Sequence, residues 1–90
     1  MNKLDELRTE LDALDNTIVA LLDQRLQLAD QIAEWKSKNR HLIEDQEREH
    51  QVFAHVKQAA IHPVLKERIE EIYQPIIECS KMVQRMHKGD

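Results

Sequence analysis

Apolar residues recur from the N-terminus at alternating steps of three and four, with one place in the series, between Leu21 and Leu28, not apolar: Leu4, Leu7, Leu11, Leu14, Ile18, Leu21, Leu28, Ile32 and Trp35. That spacing lines one side of a helix, and it predicts a first helix from about Lys3 to about Lys38. A helix so long must pack against more than its own chain. The periodicity breaks at Asn39-Arg40-His41-Leu42-Ile43-Glu44, a short polar loop, after which Asp45 is placed to N-cap a second helix. Val52, Phe53, Val56 and Ala60 form its apolar side. His62-Pro63 ends that helix and starts a third, since proline suits a first helical position. Ile69, Ile72, Tyr73, Ile76, Ser80 and Val83 trace the stripe of the third helix, and Pro75 within it removes one backbone hydrogen bond and is expected to bend it.

One position interrupts the first stripe. Arg25 stands where a leucine is expected, and a guanidinium buried without a partner costs several kcal/mol, so a carboxylate must meet it, from the protein or from a ligand. A structural ion pair with an acid such as Glu49 is the plainer alternative.

Composition sharpens this picture. Ninety residues suit one domain, taken as 1–90, and a chain this short buries only roughly 60–65% of its unfolded surface, which favours a dimer before any motif is read. With one glycine, two prolines and 3% aromatics there is little turn chemistry for a sheet, and the class is all-α. Cys79 is the single cysteine, so no intramolecular disulfide can form. Neither a signal-peptide core nor a membrane-length apolar run is present, so a soluble, cytoplasmic protein without membrane partners is expected. A net charge of −4 without a dense Lys/Arg tract argues against nucleic acid. The five histidines never fall at the i, i+4 spacing of a helical metal pair, and no phosphate-cradling glycine loop exists, so neither metal nor cofactor is expected.

The remaining polar residues fall on the same faces. Lys36 lies about three turns beyond Arg25, roughly 16 Å along the helix, so two cations flank one groove. Ser80 and Gln84 are one turn apart in register with the third stripe and look inward. Asp45, Arg48 and Glu49 form a mixed-charge cluster at the start of the second helix. Arg8 sits about 25 Å from Arg25, too far for both to touch one small ligand from a single helix. Solvated surface charges, capping and hydrogen bonds within a bundle are the ordinary alternatives for these residues.

Taken in order, Leu7-Arg8-x6-Asp15, Leu21-Leu22-x2-Arg25, Lys36, Asp45-x2-Arg48-Glu49 and Ile77-x2-Ser80-x3-Gln84 span nearly the whole chain, which resembles the all-helical (AroQ-class) chorismate mutases. The resemblance implies a homodimer with interlocked first helices, each active site being completed by Arg8 of the other chain. It implies that Arg8 and Arg25 pair with the two carboxylates of chorismate, and that Lys36 and Gln84 bind its ether oxygen. Glu49 and the Asp45 backbone are then expected at the ring hydroxyl, with Ser80 and Arg48 in support.

The implied reaction, chorismate to prephenate in aromatic amino acid biosynthesis, is an intramolecular pericyclic rearrangement. Catalysis then consists of folding a flexible dianion into a near-attack shape and stabilising charge on the breaking ether oxygen. Arginine forks suit carboxylates and a lysine ammonium suits a single oxygen. Two rivals remain at this stage. Isochorismate pyruvate lyases share the fold and the cation positions, but the Arg48-Glu49 pair favours the mutase. A non-catalytic dimerisation or regulatory module would be marked by loss of a cation, and none is lost. No second domain follows the third helix, so end-product feedback within the chain is not expected.

Overall fold

The computed structural model describes residues 2–42 and 45–88, so Ile43 and Glu44 of the expected loop lie outside the described residues. Three helices and no strands are found among them: α1 (Lys3–Lys38), α2 (Gln46–Ala59) and α3 (Pro63–Lys88).

Local chemistry accounts for each boundary. Asn2 caps α1, its side-chain oxygen accepting from the Asp5 N–H at 2.8 Å, and Asp5 and Glu6 complement the positive end of the helix dipole. At the other end Asn39 is the C-cap and Arg40 turns left-handed at φ 53. The His41 N–H then reaches back to the Lys36 carbonyl at 2.8 Å, closing a Schellman-type turn without the usual glycine. The Asp45 side chain accepts from the Arg48 N–H at 3.0 Å, as expected for the N-cap of α2. Pro63 opens α3, where His62 Nδ1 accepts from the Val64 N–H at 3.2 Å, and the helix continues through Pro75 to Lys88.

α3 packs against both α1 and α2. The face that α1 turns toward it is not the leucine stripe: Ala29 and Ala33 are buried, at 4% and 3% exposure, and Leu22, Leu26 and Lys36 are half-buried. These residues form a second helical stripe, one residue, or about 100°, around from the first. Alanines at i and i+4 let the α3 backbone approach closely. The expected stripe lies outside this contact, with exposures from 44% at Leu7 to 60% at Leu14, so the described residues leave most of it uncovered. On α3, Ile77 is buried where Ile72 was expected, while Ile69 and Ser80 are buried as the stripe requires. Val56 and Ala60 carry the apolar side of α2, with Val52 and Phe53 half-buried beside them.

The resulting core is thin. Its apolar members are Ala29, Ala33, Val56, Ala60, Ile69 and Ile77, of which half are alanine. At about 0.8 kcal/mol per buried CH₂, alanines contribute little, so most of the apolar surface that could stabilise the fold stays outside. The molecule measures 56 × 26 × 15 Å, and α1, about 54 Å long at 1.5 Å per residue, accounts for the long axis. Every described residue from Asn2 to Leu21 is exposed, so this part of α1 projects beyond the other helices. No helix among the described residues is long and apolar enough to cross a membrane.

Candidate active site

The C-terminal half of α1, the first turns of α2 and the last turns of α3 enclose a cavity of about 430 Å³. Its walls bring together Arg25, Lys36, Asp45, Arg48, Glu49, Ser80 and Gln84, which is every expected site residue except Arg8. Arg8 is exposed on the projecting part of α1 and lines no part of it.

Arg25 is half-buried and held by neutral partners. Its Nη1 donates to Ser80 Oγ at 2.5 Å, and its guanidinium carbon lies 5.7 Å from the centroid of the Tyr73 ring. Ser80 Oγ in turn donates to the Ile76 carbonyl at 3.3 Å, so the hydroxyl bridges the guanidinium to the α3 backbone. Among the described residues Arg25 forms no salt bridge, and the ion pair with Glu49 is not made. Its position is thus set while its charge is left for a ligand. A cation restrained without a neutralising carboxylate is pre-organised to receive one.

Lys36 sits in the last turn of α1, where the Arg40 turn ends the helix. Its Nζ donates to Gln84 Oε1 at 3.4 Å across the groove. That contact occupies the acceptor end of the amide, so its NH₂ end can donate to a ligand oxygen beside the ammonium. Two donors from different helices thereby converge on one region.

On the opposite wall the Asp45 carboxylate is engaged in capping α2. Arg48 is exposed, with Nη1 3.5 Å from Gln51 Oε1. Glu49 is half-buried and pairs with Lys81, whose Nζ lies 3.1 Å from Glu49 Oε1. Lys81 and Tyr73 were not picked out for the site from the sequence. A signal for Lys81 did exist, because Ile77, Ser80, Lys81 and Gln84 recur at helical spacing and share the inward face of α3. Leu28, Ile32, Val52 and Ile77 supply an apolar wall.

Among the described residues the lining holds four cationic side chains, Arg25, Lys36, Arg48 and Lys81, against the two carboxylates of Asp45 and Glu49, a net of +2. A small apolar pocket with this surplus and with convergent donors suits a compact dianion.

Comparisons with known proteins point to one family. The family described as "Chorismate mutase type II" matches residues 7–85. A chorismate mutase of Methanocaldococcus jannaschii is 32% identical over 88 residues, covering 97% of this chain and 89% of that protein. A bifunctional chorismate mutase/prephenate dehydratase of Aquifex aeolicus is 33% identical over 94 residues, covering 98% of this chain but only 25% of that longer protein. Among solved structures, a conserved hypothetical protein from Pyrococcus furiosus superposes with a TM-score of 0.76 at 34% identity, covering 93% of this chain and 97% of that one.

Proposed function

This chain belongs to the chorismate mutase type II family, the AroQ class, and on that premise we propose how its groove converts chorismate to prephenate. The observation that carries the reading is Arg25, a half-buried guanidinium fixed by Ser80 and Tyr73 with no salt bridge among the described residues. It receives one substrate carboxylate. Lys36 and the Gln84 amide bind the ether oxygen, where negative charge grows as the C–O bond breaks, and their fixed placement means little reorganisation is needed in the transition state. Glu49 and the Asp45 backbone accept and donate at the ring hydroxyl, while Arg48 adds positive potential at the rim. The apolar wall of Leu28, Ile32, Val52 and Ile77 presses the side chain over the ring into a near-attack shape.

The second substrate carboxylate calls for Arg8, which lies about 25 Å from Arg25 along the same helix. We infer a homodimer in which the α1 helices run antiparallel across a two-fold axis, so that the partner's Arg8 completes each groove. The exposed leucine stripe supports this arrangement, since a second copy can cover it and enlarge a core that is thin in one chain. Residues 1–90 then act as one mutase domain, cytoplasmic and serving aromatic amino acid biosynthesis. The lyase and the non-catalytic module are not favoured by the relatives.

Incubation with chorismate, with the product identified by NMR, tests the reading. Prephenate is the expected product, formed in proportion to protein concentration. An absence of turnover, or release of pyruvate from isochorismate as the only reaction, would remove it.

A further inference from the structure

We propose that Lys81 is a positioning residue that makes Glu49 serviceable as the acceptor of the substrate's ring hydroxyl, and so sets the preference for a hydroxylated dianion. The inference rests on the chorismate reading above.

It begins with an electrostatic difficulty. Glu49 lines a groove that must admit two negative charges, and an uncompensated carboxylate there would repel them. Lys81 meets the difficulty directly: its Nζ lies 3.1 Å from Glu49 Oε1, with the two side chains only 15% and 20% exposed, so solvent screens the pair little. The same ammonium lies 3.5 Å from Glu78, one turn earlier on α3, which steadies it from the outer side. Lys81 is therefore held between a carboxylate facing the groove and one facing outward.

Position adds to charge. Lys81 follows Ser80, which carries Arg25, and precedes Gln84, which meets Lys36, so one stretch of α3 supports three contacts to the other helices. By binding Oε1, Lys81 fixes the carboxylate plane of Glu49 across the α2–α3 gap and leaves Oε2 to accept a hydroxyl proton. Without the lysine, Glu49 would be both repulsive and free to rotate. Its loss should weaken substrate binding more than the chemical step, because the ether-oxygen donors are separate residues.

Steady-state kinetics of Lys81→Met, Lys81→Arg and the double variant Lys81→Met/Glu49→Gln test this. Each is measured with chorismate and with an analogue lacking the ring hydroxyl, alongside circular dichroism. For Lys81→Met we expect KM for chorismate to rise about tenfold with kcat within about threefold of the parent, the signature of lost uniform binding. Discrimination against the dehydroxylated analogue should shrink. Lys81→Arg should restore both, and the double variant should lose the discrimination that remains in Lys81→Met, because the hydroxyl acceptor that Lys81 positions is then itself removed. An unchanged KM and unchanged discrimination in folded Lys81→Met would overturn the proposal, as would an effect confined to thermal stability. Should Lys81→Met fail to fold, Lys81→Gln takes its place in the same measurements, and unfolding of both assigns Lys81 to structure alone. A parent protein that leaves chorismate untouched would defeat the mutase reading and this inference together; an active parent with an indifferent Lys81 would defeat this one only.

Discussion

The two halves of α1 are built from one continuous pattern yet live in different surroundings. From Leu22 onward the helix has two working faces: Ala29 and Ala33 pack against α3, and Arg25 and Lys36 look into the groove. Before Leu22 every described residue is exposed, although Leu7, Leu11, Leu14 and Ile18 continue the same apolar spacing. An isolated helical stretch in water is marginal, so an apolar stripe that the described residues leave uncovered points to a partner. One half holds most of a site and the other holds a seam with an arginine at its end. The lesson is that a regular stripe reports what a helix can bury, and not which neighbour buries it.

Disabling each half of α1 separately should have the largest effect. Arg8→Ala and Arg25→Ala should each lose activity by more than about a hundredfold, as expected when a charge-matched contact to the transition state is removed. If the sites are shared, co-expression of the two variants should restore about one quarter of all sites, because random pairing makes half the dimers mixed and each of these holds one intact site. Measured turnover that stays at the level of either parent variant, although mass spectrometry shows heterodimers, would mean that each site is built from one chain.

A second test separates charge from structure in the C-terminal half. Among the described residues the polar and aromatic partners of Arg25 are Ser80 and Tyr73, so Arg25→Leu should keep its thermal stability within about 1 kcal/mol while activity collapses. A large drop in melting temperature would instead make Arg25 a structural residue. Ser80 remains satisfied in that variant through the Ile76 carbonyl.

Sharper still is the contact between Lys36 and Gln84. A neutral amide donates without taking up a proton, whereas a glutamate placed there must be protonated to do so. The sign follows: Gln84→Glu has its donor form at low pH and loses it as pH rises, and the neighbouring Lys36 ammonium favours the ionised form. Activity of the variant relative to the parent should therefore climb on acidification. A pH–rate profile that parallels the parent at full activity would exclude Gln84 as the ether-oxygen donor.

The smallest expected effect lies where α1 ends. Arg40 adopts a left-handed conformation that glycine reaches without strain, so Arg40→Gly should leave turnover unchanged and alter stability by no more than about 1 kcal/mol, in the stabilising direction. Denaturant unfolding reads this directly, and a clear destabilisation would show that the arginine side chain contributes more than its backbone strain removes.

Much of this molecule was decided by short-range chemistry that the sequence carries openly. The Asp45 cap and Pro63 set helix boundaries through contacts within four residues, and the extent of α1 was legible in where its apolar spacing begins and stops. Residue types at helical spacing likewise placed Arg25, Lys36, Ser80 and Gln84 on faces that could meet. What local pattern could not determine was which of two adjacent stripes on α1 would face α3, because Leu22, Leu26, Ala29 and Ala33 repeat with the same period as the leucines beside them. Only packing chose the alanine face, where backbones approach most closely. The same holds for Glu49, whose partner could have been Arg25 and is Lys81. Charge pairing across helices depends on how they are placed against one another, a relation between distant residues that no spacing along a single helix encodes.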